Sequence, residues 1–134
     1  MLDLAQIQQL FAPLFPGLMG VHLTEAAPDR VRAQMLVRPD LCTAGGILHG
    51  GAIMAFADTL GAVAAILNMP QGARTTTIES KTNFIGGAAA GTRVVGESVP
   101  VHKGRTTVVC QTIIRSEAGK LVALVTQTQL VIAP

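Results

Sequence analysis

The chain has no tryptophan and no tyrosine, and its aromatic residues are four phenylalanines, Phe11, Phe15, Phe56 and Phe84, in 134 residues. Single-stranded nucleic acid is held largely by stacking bases on aromatic rings, so that class of ligand lacks its usual platform here. Charge is scarce as well. Asp, Glu, Lys and Arg make up 13% of the residues, against roughly 25% in an ordinary soluble domain. The ten basic and eight acidic side chains form neither a basic run nor an acidic tail, and the net charge is +2. Without a basic stripe there is little to track a phosphate backbone, and no nucleic-acid partner is expected. A surface so poor in charge is instead expected to be covered in part by another subunit.

Cysteine is limited to Cys42 and Cys110, with no Cys-x-x-Cys or Cys-x-x-His spacing, so neither a disulfide framework nor a metal site is indicated. Both are expected to be small buried hydrophobes. The opening MLDLAQIQQLF carries Asp3 and no early Lys or Arg, which does not fit a secretory signal, and a cytoplasmic protein is expected. The length suits one domain spanning 1–134.

Hydrophobic periodicity divides the chain. Leu4, Ile7, Leu10 and Phe11 share one helical face, and Pro13 and Pro16 are expected to end that short covering helix. From Val21 the period becomes two. Val31, Ala33, Met35 and Val37 alternate with Arg30, Arg32, Gln34 and Arg38, giving a hairpin of strands near 20–27 and 29–38. A loop rich in Pro and Gly follows over 39–48. After Asn68 and the Pro70–Gly72 break come four further strand-like segments near 74–85, 92–102, 105–116 and 121–132. They are longer than the usual five or six residues, as a long curved sheet wrapped around one helix requires.

That helix is GGAIMAFADTLGAVAAILNM. Between Leu41 and Ala73 the only acidic or basic side chain is Asp58. A helix apolar all round is buried. A membrane span is the rival reading, but a central Asp costs about 2.5–3.5 kcal/mol there, and alternating strands follow; no membrane partner is expected. Asp58 has two readings: a core carboxylate paired with a neighbour such as a strand threonine, or a general base facing a small polar pocket.

Upstream lies Gly45-Gly46-Ile47-Leu48-His49-Gly50-Gly51. Glycines at a helix start allow close approach to the backbone, and the first-turn N–H groups lack intrahelical acceptors, so an oxyanion site is available. A nucleotide phosphate loop is not matched, because Gly51-Ala52 stands where Lys and Ser or Thr are needed. No Gly-x-Ser-x-Gly elbow occurs. Gly50 to Asp58 is eight residues, about 12 Å along a helix and roughly 80° around it, and His49 to Asp58 is about half a turn. One chain therefore cannot easily bring both ends to one reacting group. Two antiparallel copies of the helix can, which predicts paired sites at a twofold interface.

The pattern G-x-x-HGG-x6-AD-T-x-x-G, present as Gly46 to Gly51, Ala57-Asp58-Thr59 and Gly61, resembles the hotdog-fold acyl-CoA thioesterases of the PaaI type. The order of elements and the segments TTIESKTNFIGGAAAGT and KGRTTVV are similar to that family too, so the likeness covers nearly the whole chain. It implies an α+β hotdog fold, a long antiparallel sheet around one buried central helix, and hydrolysis of an acyl-CoA thioester to free acid and CoA. It implies a homodimer that often doubles into a homotetramer, with no metal or redox cofactor.

Carried onto this sequence, the likeness has the Gly50 backbone N–H polarise the thioester carbonyl, with His49 and Gly51 beside it. Asp58 of the facing subunit acts as base or nucleophile, and Thr77 helps hold the water. Thr43 stands six residues before the histidine, where some relatives have Asn or Gln as a further carbonyl contact. Ala62 stands four after Asp58, unlike the branch with Glu on the helix and Ser or Thr one turn later. The turn Lys103-Gly104-Arg105 corresponds to one near the CoA entrance, with Arg74 a further phosphate contact. His22 and His102 read as ordinary strand residues. Two other classes stay open: a non-catalytic acyl-CoA binding or sensing module, and a hydratase or dehydratase on the same fold.

Overall fold

The computed structural model describes residues 1–134. Helix α1 spans Leu4–Phe11 and buries Ile7 and Phe11. Its start is set by a capping box, in which the Asp3 carboxylate accepts from the Gln6 N–H and the Gln6 side chain accepts from the Asp3 N–H. The helix ends at Phe11, before the two prolines, as expected, but Pro16 does not end helical structure altogether. It lies in the first turn of a second helix, α2, Phe15–Met19, where the missing N–H costs nothing because first-turn donors have no intrahelical acceptor. Gly20, at φ 79°, supplies the left-handed residue that closes α2.

Strands β1 (His22–Ala27) and β2 (Arg30–Leu36) form the expected hairpin. The following loop contains a single 3-10 turn, Pro39–Leu41, and two isolated bridges, Cys42 to Leu48 and Ile47 to Ala89. Helix α3 is Gly50–Ile66, and β3 (Arg74–Phe84), β4 (Arg93–Lys103), β5 (Thr107–Ser116) and β6 (Leu121–Ile132) complete the chain. The six strands make one antiparallel sheet in the order β1-β2-β4-β5-β6-β3, with α3 packed against it. This is the hotdog arrangement. The chain leaves β2 near one side, crosses as α3, and returns as β3 on the opposite edge.

The inward row of the sheet is Val31, Ala33 and Met35 on β2, Val94, Gly96 and Ser98 on β4, Val108, Cys110, Thr112 and Ile114 on β5, and Val125, Gln127, Gln129 and Val131 on β6, all buried. These positions alternate along each strand because successive side chains point to opposite faces. Phe56 and Leu60 of α3 fill the centre, fully buried. They fit because β4 presents Gly96, where an added Cβ would lie 3.0 Å from both side chains. One connected core of 28 buried residues results.

The expectation of a helix covered on every side is met on one face only. Ile53, Phe56, Ala57, Leu60, Gly61, Val63, Ala64 and Ala65 are buried, but Met54 is 39% exposed and Ala55, Asp58, Thr59, Ala62 and Ile66 are only half-buried. Neither cysteine forms a disulfide. Cys110 is buried as expected, whereas Cys42 is half-buried beside the 3-10 turn, with its Sγ donating to the Arg38 carbonyl at 3.2 Å. No helix is long and apolar enough to cross a membrane.

Candidate active site

The amino end of α3 is organised by His49. Its backbone is extended (φ −63°, ψ 139°) and its Nδ1 accepts from the Gly51 N–H at 2.7 Å, so the imidazole caps the helix. With Nδ1 an acceptor, the ring proton of the neutral form lies on Nε2. The His49 carbonyl takes the N–H groups of Ala52 and Ile53. Among the first donors of the helix, the Gly50 N–H alone finds no acceptor in the chain, leaving it available to an oxygen from outside. Side chains at the two glycines would crowd their neighbours. A Cβ on Gly51 would lie 3.0 Å from His49 Nδ1, and one on Gly50 would lie 3.1 Å from the Phe84 ring.

Asp58 lies two turns along the helix, half-buried, with its carboxylate over the strands β3 and β6. Its Oδ1 accepts from Thr77 Oγ1 at 2.6 Å and from Gln127 Nε2 at 2.7 Å. Thr77 Oγ1 in turn accepts from Gln129 Nε2 at 2.7 Å. Oδ2 takes no hydrogen bond from the chain. The pairing of Asp58 with a strand threonine is thus present, and it leaves one carboxylate oxygen without a partner in the chain.

Thr77 points inward because of the sheet register. Thr75 and Thr77 face α3, and the pairing with β6 then shifts between Thr77 and Glu79, so that Ile78 is left out of register. After this bulge the inward positions change from odd to even, at Ser80 and Thr82. Ile78 is turned out and is 56% exposed.

Asp58 lines a cavity of about 440 Å³ between α3 and the α1–α2 segment, walled chiefly by apolar side chains including Leu10, Phe11, Phe15, Ala62 and Ile66. His49 and Gly51 line a different cavity, of about 360 Å³, with Phe15, Leu18, Arg38 and Cys42. Neither cavity contains the key groups of the other. The structure therefore brings Thr77 to Asp58 and brings His49, Gly50 and Gly51 together, and holds these two sets apart within one chain.

The other anticipated residues lie elsewhere. Thr43 is exposed and forms the turn before the helix, its N–H donating to the Ile47 carbonyl at 2.8 Å and its carbonyl accepting from Gly46 at 3.0 Å. Lys103, Gly104 and Arg105 make the β4–β5 turn, in which Gly104 N–H donates to the Thr107 carbonyl at 2.8 Å. Lys103 and Arg105 are exposed and form no ion pair, unlike Arg30, Arg32 and Arg38. Arg74 begins β3 and is exposed. No group of three or more His, Cys, Asp or Glu side chains is placed to hold a metal ion.

Gln127 and Gln129 are part of the site that sequence reasoning missed. Read as a strand, LVALVTQTQLVI shows them only as polar interruptions. The available signal was their phase: they share the inward parity of Val125 and Val131, where an apolar residue is the rule.

A family model described as the thioesterase superfamily matches residues 45–123, a span that runs from the glycines before α3 through the first residues of β6. The 1,4-dihydroxy-2-naphthoyl-CoA hydrolase of Escherichia coli K12 is 30% identical over 105 residues, which are 78% of this chain and 76% of that protein. The crystal structure of a thioesterase from Haemophilus influenzae superposes with a TM-score of 0.92 at 27% identity, covering 98% of this chain and 92% of that one. A hypothetical thioesterase protein of Streptococcus pneumoniae, crystallised with coenzyme A, shares the fold with a TM-score of 0.79 at 22% identity, covering 85% of this chain and 87% of its own. A glycine-opened helix with one carboxylate two turns in, laid on a six-stranded antiparallel sheet, is thus found in a chain that belongs to the thioesterase superfamily.

Proposed function

We propose that this protein hydrolyses an acyl-CoA thioester to the free acid and CoA, as a PaaI-type thioesterase in which the 134 residues form one domain and two chains share each site. The observation that carries this reading is the state of Asp58. Its Oδ1 is held by two donors while Oδ2 takes no hydrogen bond from the chain, and Asp58 lines an apolar cavity, which suits a base that must accept a proton in one direction. The free Gly50 N–H at the helix start is the complementary part, a donor for the oxygen on which negative charge develops.

The two parts meet when a second copy of α3 lies antiparallel beside the first, along the face that a single chain leaves half-covered. Asp58 of one chain then takes a proton from water as the water oxygen adds to the thioester carbonyl carbon. The Gly50 N–H of the other chain, with His49 Nε2–H beside it, receives the carbonyl oxygen. Collapse of the tetrahedral adduct breaks the C–S bond, and the proton held by Asp58 passes to the departing sulfur. An oxyanion donor is worth about 10²–10³ in rate and a placed base about 10²–10⁴; together they suit a thioester, whose leaving group is already good. Lys103 and Arg105, charged and unpaired at the β4–β5 turn, are assigned to the CoA phosphates, and Thr43 and Gly51 to the border of the carbonyl site. The fold relative that holds coenzyme A supports CoA as the thiol.

The apolar walls beside Asp58 support an apolar acyl part. Thiol release from a panel of acyl-CoA esters, measured together with molecular mass in solution, tests the whole reading. Release that needs Asp58 in a dimer or tetramer is expected; binding without release means a sensor, and water addition to an enoyl-CoA without release means a hydratase.

A further inference from the structure

Gln127 and Gln129 are 0% and 1% exposed, in a row of β6 whose other inward members are Ala123, Val125 and Val131. Burying a primary amide is unfavourable unless its hydrogen bonds are made, so apolar residues at both positions are the simpler way to complete the core. The two amides are instead aimed at the reaction centre, and each is aimed in one sense.

Gln129 is opposite Thr77 in the β3–β6 register. Its Oε1 and the Leu130 carbonyl both lie 3.0 Å from the Thr75 hydroxyl, which leaves Nε2 directed at Thr77 Oγ1. A hydroxyl has one proton, and with an N–H already pointing at its lone pair Thr77 sends that proton to Asp58 Oδ1. Gln127 donates to the same Oδ1 through Nε2, and its own Oε1 is left buried with no partner. The reversed amide would set an oxygen against the carboxylate, so the unpaired Oε1 is the consequence of keeping the donor on Asp58. The room for this amide comes from Gly61, one turn beyond Asp58, where a Cβ would lie between 2.7 and 2.9 Å from Oε1, Cδ and Nε2 of Gln127.

We propose that Gln127 and Gln129 are positioning residues of the hydrolytic site: Gln129 turns the Thr77 hydroxyl toward Asp58, Gln127 fills the second acceptor direction of Oδ1, and Oδ2 alone is presented to the reacting water. This rests on the reading of Asp58 as the base. Neither glutamine touches substrate; both act through Asp58, and that dependence separates positioning from a purely structural role.

The test is a pair of double-mutant cycles on the full-length protein, Gln127→Met with Asp58→Asn and Gln129→Met with Thr77→Val, read as kcat and KM for the best acyl-CoA of the panel. Methionine keeps the length of glutamine without its donor. Each single glutamine variant is expected to lower kcat about tenfold, less than the roughly 10²–10⁴ that a placed general base contributes because Asp58 itself remains, with KM within about twofold. Neither is expected to lower kcat further once its partner is replaced, because coupled groups are not additive. Should Gln127→Met fail to fold, Gln127→Asn serves instead, since it retains an amide but draws it one methylene away from Asp58. Unchanged kcat in the single variants, a change confined to KM, or losses that multiply fully in the double variants would overturn the positioning role while leaving Asp58 as the base. Full activity in Asp58→Asn alone would overturn the underlying reading instead.

Discussion

Gly61 and Gln127 are matched across the helix–sheet interface: the fully buried glutamine amide lies where the glycine has no side chain, and a single methyl at residue 61 would sit 2.7 Å from Gln127 Oε1. This is closer than carbon and oxygen pack. Gly61→Ala should therefore destabilise the fold by about 1–3 kcal/mol through overpacking, even though alanine favours the helix by up to about 1 kcal/mol. It should also lower kcat, by drawing the amide away from Asp58. Denaturant titration alongside initial rates checks both; a stable, fully active Gly61→Ala variant would show that the amide has room to move without consequence.

Asp58→Asn should lower kcat by at least about a hundredfold, as removal of a base does. Binding and assembly should persist, since the amide can still accept from Thr77 and Gln127 through its oxygen. Steady-state rates with a size-exclusion profile decide the matter, and full activity in this variant would falsify the role assigned to the carboxylate.

His49→Ala should act mainly through the helix cap. The bond from the Gly51 N–H to Nδ1 is of the kind whose loss costs about 0.5–2 kcal/mol. The Gly50 N–H remains, so activity should fall less than in Asp58→Asn. An equal loss would mean that the imidazole itself takes part in holding the carbonyl.

Charge reversal of both Lys103 and Arg105 should raise KM for acyl-CoA and flatten its dependence on salt, leaving kcat at saturation nearly unchanged, because the pair is exposed, does not line the cavity beside Asp58 and makes no internal ion pair. If KM and its salt slope stay as they were, the phosphates are held elsewhere.

Burial pushes the Cys110 thiol up from its ordinary value, so the folded protein keeps it protonated to higher pH than the unfolded chain does. Below about pH 8.5, the ordinary thiol value, this contribution to stability is complete; it is lost as pH rises above that value, where the unfolded thiol ionises first. Iodoacetamide on the native protein near pH 8 should modify Cys42 and spare Cys110, with both modified in denaturant. Peptide mass mapping reads the difference, and rapid native labelling of Cys110 would mean that the helix–sheet interface opens.

Much of the architecture is legible in the order of residues because burial imposes a period. The alternation of Val31, Ala33 and Met35 marks β2, and the unbroken apolar content around Asp58 marks the helix that the sheet must cover. Pro13 and Pro16 mark the end of α1, but α2 is not legible, because a proline is read locally as a stop and its effect depends on whether it falls in a first turn. The inward glutamines escaped notice for a similar reason: polarity within a strand reads as outward until the neighbours that satisfy it are known.

Composition and spacing determine that one acid sits in an apolar helix, that glycines open that helix, and that eight residues of helical rise separate the two. These follow from covalent geometry and from the cost of burying charge, which act on any chain with this order of residues. Only the folded chain decides which oxygen of Asp58 is held and which is free. That depends on a bulge after Thr77 and on the pairing of β3 with β6, contacts between residues some fifty positions apart in the chain. A hydrogen bond has a direction, and its direction is set by whatever the partner is already bonded to.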